Sequence, residues 1–383
     1  LVLKKPIFKI TLLILWGGIL STVDASDKIR YFQSPTVKLE QDKVVFYLVD
    51  FQEDLGVDTL FQLQSKEALP TAYYRHIQSN VCFDGKCRML VVTLYWNITG
   101  RYLGFELPKG EFLSKTDHEP FVNEEYERLH ALLADSLSPL GIIAYEALVP
   151  KASSDSQKVD AISSPTAPDV LEYIIKGAAY TTYKLWHFVY GITQSEIQQK
   201  TVSVLSPSLL LQILDSPDLG DRIWALNHAT PYFTENPLLT SKVLSLIHQD
   251  AYNLSETAIR VLPLTDEKVQ TGLTEVFLKS NYAIQKLIIN KLRRMQSLTP
   301  STVYALASSL SLLSGELVNN VLTLFQKNQV EDVEIGKLVA KLLEHKNGFI
   351  ADKAYQFLVK QKHKSVDTEQ QLKVYLAKIQ SQK

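Results

Sequence analysis

Hydrophobic and polar positions divide the chain into two textures. Up to about Lys200, strand and helix patterns alternate. Lys43 to Val49 is dense in β-branched and aromatic residues and predicts a strand. Met89 to Trp96 and Tyr102 to Leu107 predict two more, joined at Asn97-Ile98-Thr99-Gly100 as a hairpin. Asn97-Ile98-Thr99 also matches a glycosylation sequon, alongside its reading as a turn asparagine. Asn123 opens a helix over Glu124 to Ala134, with Tyr126, Leu129, His130 and Leu133 on one face. A second helix is predicted from near Pro168 through Val170, Leu171, Ile174 and Ile175 toward Tyr190. Ala152 to Gln157 is small and polar and reads as an exposed loop, and Gln194 to Thr201 reads as a polar connection.

Beyond about Val202 the pattern is helix upon helix. Helix starts follow from capping chemistry at Ser206-Pro207, Asn236-Pro237, Thr265-Asp266 and Thr299-Pro300. Each interval of roughly 30 residues holds two amphipathic segments, such as Val243-Leu244-Ile247 followed by Ala258-Ile259-Val261. Two helices per such period is the pattern of a HEAT-like α-solenoid; an irregular helical bundle satisfies the same amphipathicity. The predicted architecture is an α+β domain over residues 26–200 followed by an all-α HEAT-like solenoid over residues 201–383.

Charge and cysteine usage narrow the partners and the compartment. Forty basic and 41 acidic side chains give a formal charge of −1, without the basic excess or stripe that phosphate neutralisation needs, so no nucleic-acid partner is expected. Apolar residues at 46% exclude wholesale disorder. Lys4, Lys5 and Lys9 precede an apolar run from Ile10 to Leu20, and Val23 and Ala25 occupy small-residue cleavage positions. That pattern predicts a signal peptide over residues 1–25 and a periplasmic or secreted protein. An uncleaved anchor is the alternative, for which the run is short against the roughly 20 residues a span needs. Cys82 and Cys87 flank an Asp84-Gly85 turn signal, so in an oxidising compartment they predict a disulfide. A metal site there would need histidine or carboxylate ligands from elsewhere.

Catalytic motifs are missing: there is no Walker loop, Rossmann fingerprint, nucleophile elbow or His-Glu-x-x-His helix. The eight histidines are dispersed, with His118 in a polar loop beside Asp117, and no catalytic or metal-ligating set is assigned. Tyr183, Trp186, His187 and Tyr190 share a helical face, which reads as core packing against the sheet or as a ring-stacking cofactor wall. Asp160-Ala161-Ile162-Ser163-Ser164-Pro165-Thr166 carries an acid and two kinds of hydroxyl just before a predicted helix. Thr166 and Asp169 have capping-box spacing, and the same geometry suits a phosphate at a helix N-terminus.

This stretch resembles the Asp-x-x-Ser-Gly-Ala-Thr motif of FMN-binding domains in exported subunits of bacterial ion-pumping electron-transport complexes. The resemblance implies Thr166 as the residue esterified to the flavin phosphate, with Asp160 and Ser163 matching the motif's acid and serine. Cys82 to Glu125 and Lys176 to His187 look similar to exported relatives bearing this domain. Ser164-Pro165 departs from the family's Gly-Ala. Serine resists a positive φ, and Pro165 fixes its own φ and removes an N–H donor. That favours a domain that kept the fold without the flavin. Two functions are therefore expected. One is an exported, non-catalytic interaction protein that meets a protein partner through its helical half. The other is a periplasmic electron-transfer component carrying FMN at or near Thr166 and docking on a membrane electron-transport complex.

Overall fold

The computed structural model describes residues 29–32, 42–52, 56–81, 88–115, 118–145, 148, 168–248 and 251–381. Residues 1–25, where a signal peptide is predicted, and Cys82, Cys87, Asp160, Ser163 and Thr166 lie outside the described residues.

Six strands form one antiparallel sheet in the order β1-β6-β5-β4-β3-β2. They are β1 (Arg30–Phe32), β2 (Lys43–Asp50), β3 (Val57–Gln64), β4 (Pro70–Ser79), β5 (Leu90–Asn97) and β6 (Tyr102–Glu106). The predicted strand at Lys43 and the predicted hairpin at Asn97 are present; β1, β3 and β4 join them. Alternation puts Leu60, Tyr73, Ile77, Leu94, Trp96, Tyr102 and Phe105 into one buried cluster on the helix-covered face. That face is covered by α1 (Asn123–Ala134), α2 (Ala179–Tyr190) and α3 (Ile192–Ser203), which bring Leu129, Leu133, Leu185, Val189 and Ile197 to the same core.

The predicted second helix is two elements. A short 3₁₀ helix covers Pro168–Tyr173, the chain turns at Gly177 with φ +79°, and α2 starts afresh at Ala179. Only glycine adopts that φ cheaply, so the break is written into the backbone. Nor is Gln194 to Thr201 an exposed connection: it lies within α3, and Thr193, Ile197 and Thr201 are completely buried.

From Pro207 onward the described chain is helical: α4 (Pro207–Leu214), α5 (Leu219–His228), α6 (Pro237–Ser245), α7 (Tyr252–Val261), α8 (Glu267–Phe277), α9 (Tyr282–Arg294), α10 (Pro300–Ser309), α11 (Gly315–Lys327), α12 (Val333–Ala340), α13 (Gly348–Lys360) and α14 (Val366–Ser381). These helices pack in two rows. Even-numbered helices contact the next even one, odd-numbered helices the next odd one, and α4·α5, α6·α7, α8·α9, α10·α11 and α12·α13 bridge the rows. Ser206, Asn236, Asp266, Thr299 and Asp332 cap the even helices α4 to α12, each with its side chain accepting a backbone N–H. The start expected at Thr265 therefore falls one residue later, at the Asp266 cap. A second core, from Leu209 to Leu358, fills the space between the rows.

Candidate functional site

The two cores meet at the turn between β5 and β6. Asn97 organises that turn: its Oδ1 accepts from Thr99 N (3.0 Å) and Arg101 N (2.8 Å). Its amide nitrogen is committed elsewhere, donating to Asp221 Oδ1 at 2.7 Å, which makes Asn97 a turn residue. Gly100 follows with φ +82°, and a Cβ there would stand 2.9 Å from Gln194 Cγ. The bare backbone lets α3 approach, and Gln194 and Gln198 donate to Gly100 O and Thr99 O, each at 3.0 Å.

Asp221 is the centre of this junction. It sits in the first turn of α5, 3% exposed, behind the Asp218 cap. Its carboxylate accepts from Asn97, from Thr99 Oγ1 (2.6 Å), from Arg101 Nη2 (2.9 Å) and from Ser216 Oγ (2.8 Å). Arg101 Nε also lies 3.5 Å from Asp218 Oδ2. Burial by itself would raise the Asp221 carboxyl, but hydrogen bonds from Arg101, Thr99 and Asn97 outweigh it and hold the group below the ordinary carboxylate value. A carboxylate so fully engaged and so acidic is a poor proton acceptor at neutral pH. Its chemistry is to fix geometry.

Deeper in the same junction, Arg75 on β4 is fully buried. Its Nε donates to Asp58 Oδ2 (3.0 Å), its Nη1 donates to Thr193 Oγ1 on α3 (2.9 Å), and its guanidinium lies 3.4 Å from the Phe51 ring centroid. Trp96 Nε1 donates to Val189 O on α2 at 3.0 Å. Sheet, α3 and α5 are thus tied by buried polar bonds, and each is costly to leave unmade.

The aromatic face of α2 joins the sheet core as expected, with Trp186 buried in it and Tyr183 and Tyr190 packed against it, and its polar tips do more. Tyr183 OH, Trp186 Nε1, His187 Nε2 and Tyr190 OH reach Ile143 O, Asp135 O, Leu140 O and Leu133 O, at 2.8–3.1 Å. Four polar tips satisfy four backbone carbonyls, one in the last turn of α1 and three in the segment after it, so the stripe clamps the end of α1 and that segment onto the helix. Burial lowers the basicity of His187 and of His130, whose Nδ1 meets Tyr102 OH at 3.0 Å. Both rings are neutral structural partners at pH 7. His118, at φ +62°, is an exposed turn residue.

Opposite the helices, the sheet exposes Phe46 and Leu48 at 66% and 72%, beside Phe61 stacked on Tyr74 at 4.7 Å. Among the described residues no group of three or more His, Cys, Asp or Glu is placed to hold a metal ion, and no helix is long and apolar enough to cross a membrane.

Sequence reasoning identified the Asn97 turn and the α2 stripe. It missed Asp221 and Arg75. The spacing of Asp218 and Asp221 announces only a capped helix start, which gives no sign that Asp221 reaches the β5–β6 turn. The assigned Asp160, Ser163 and Thr166 lie outside the described residues, and the element that follows them, at Pro168, is a six-residue 3₁₀ helix. Comparison with family models, with curated proteins and with solved structures finds no match.

Proposed function

We propose that the chain is an exported, non-catalytic interaction protein: a HEAT-like solenoid presents a binding surface, and the sheet domain anchors it in a fixed orientation. The observation that carries this reading is the two-row packing of α4 to α14, in which each helix rests on the helix two places along. Stacked helix pairs bury a continuous core between neighbours and leave long outer edges for a partner. The Asp221 junction supports the anchoring role, because it ties α5 to the sheet by buried, charge-assisted bonds instead of a free linker. Export is supported by the Lys4-Lys5-Lys9 region, the apolar run and the Val23/Ala25 positions.

Crosslinking with lysine-reactive reagents in the native host, followed by mass spectrometry, tests the proposal. One recurring protein partner, linked through lysines of α4 to α14, is the expected outcome. Partner links confined to the sheet domain, or none outside the chain itself, would refute it.

A further inference from the structure

The helices of the odd row run side by side, and hydrogen bonds one repeat apart stitch their C-terminal ends together. Arg260 Nη2 of α7 donates to Asn227 Oδ1 of α5 at 2.7 Å. Lys291 Nζ of α9 donates to Arg260 O at 2.9 Å, and also to Leu262 O. Lys327 Nζ of α11 donates to Arg293 O of α9. The offsets are 33, 31 and 34 residues, so residues far apart in sequence line one edge.

That edge gathers Arg260, Lys291, Arg293, Arg294 and Lys327. Among the described residues none of the five makes an ion pair, although other lysines and arginines in both halves do. Their partners are backbone carbonyls and asparagines: Arg293 reaches Asn290 Oδ1 and Asn320 Oδ1, at 3.4 and 3.5 Å. Helix α9 contains four cations and no acid.

Helix dipoles explain part of this, since cations favour C-termini. Three C-termini contribute about half a negative charge each, against five positive side chains, so these groups alone leave an excess of about three and a half charges. Lys291 registers that excess: burial first, then Arg294 and Arg260, bring its pKa down to about 8. Asn227, Asn290 and Asn320 already accept from these arginines, and the exposed Arg260, Arg294 and Lys327 carry N–H donors alone.

We propose that the C-terminal edge of α7, α9 and α11 is a docking strip for an acidic polypeptide segment of a protein partner. The assignment rests on the interaction role proposed above and names the partner's chemistry. A strip of cations without ion pairs fits an acceptor-only ligand. The formal charge of −1 on the whole chain disfavours an extended polyanion, such as a nucleic acid or an anionic bilayer, which faces the whole molecule. A short carboxylate-rich segment meets only the strip.

The test uses the full chain and a fluorescent short oligoglutamate, followed by anisotropy at low and at physiological ionic strength. Arg260, Arg294 and Lys327 are exposed, so the triple variant Arg260→Gln, Arg294→Gln, Lys327→Gln keeps the core intact, which circular dichroism checks. The triple variant is expected to bind about tenfold or more weakly and with a shallower salt dependence. Lys286→Gln with Lys353→Gln, near the opposite helix ends, should bind as the native chain does. Equal binding by the triple variant and the native chain overturns the assignment. Tighter binding of an oligothymidylate or of anionic phospholipid vesicles than of oligoglutamate does so too. Loss of this binding alongside intact partner crosslinks removes the strip and leaves the interaction role standing.

Discussion

Removing the Asp221 carboxylate should loosen the whole molecule, because one side chain serves four donors across the boundary between two cores. Asp221→Ala strips acceptors from Asn97, Thr99, Arg101 and Ser216 at once. Deleting one member of a buried ion pair costs about 3–5 kcal/mol, chiefly through the charge left behind. Here Arg101 keeps Asp218 at 3.5 Å and is itself 24% exposed, which places the expected loss near the lower end, at ~3 kcal/mol. Asp221→Asn keeps an acceptor of the same shape and forfeits the charge, for a loss of ~1.5 kcal/mol. Urea unfolding is well suited to the measurement, since Trp224 lies three residues beyond Asp221 on α5 while Trp96 and Trp186 report the sheet core. The native chain should unfold with coincident fluorescence and circular-dichroism transitions, and Asp221→Ala should separate them. The pH dependence has a definite sign. The native pKa of Asp221 is lowered, so its contribution is complete above the unfolded value of about 3.9 and is lost as pH falls through the native value. The gap between native and Asp221→Ala must therefore close in acid. A midpoint at neutral pH unchanged to within ~0.5 kcal/mol, the ordinary range for surface substitutions, would refute the junction.

Gly104→Ala should be strongly destabilising, because a Cβ there would lie 2.2 Å from Tyr31 O on the neighbouring strand. Gly336→Ala, in the interior of α12 with nothing within 4 Å, should stabilise by ~0.5–1 kcal/mol; thermal melts of both variants check the pair. Lys291 carries a native pKa of about 8, below its unfolded value of about 10.4, so stability should rise with pH across that interval. Lys291→Met should flatten the rise, and an unchanged profile would exclude Lys291 as its source. Intact mass of protein from the native host should show no flavin on Thr166, while Ser164→Gly with Pro165→Ala should make the chain the better acceptor for an FMN transferase. One FMN on the native chain would favour the electron-transfer reading.

Caps followed by proline were legible: Ser206, Asn236 and Thr299 each start an even-row helix as expected. The odd row was read only as amphipathic segments, because Asp218, Asn281, Ser314 and Asn347 cap without a following proline and look like ordinary polar residues. Strands β3 and β4 were blurred by polar side chains at buried positions, Gln62 and Arg75, whose partners come from β4 and α3. A single helical pattern ran across Gly177 because periodicity does not register one positive φ. The basic strip was invisible for a related reason. Its cations are spread over α7, α9 and α11, and only the stacking of those helices brings them together.

The position of β1 sets an order of events in folding. Strands β2 to β6 form a meander in which every partner is the next strand along, so each pairing closes a short loop. β1 instead pairs with β6, and Arg30 bonds Glu106 across 76 residues of chain. A chain appearing N-terminus first leaves β1 without its mate until Glu106 has emerged. Pairing of β1 with β6 therefore completes the sheet, and the Arg30–Glu106 bond records that last step.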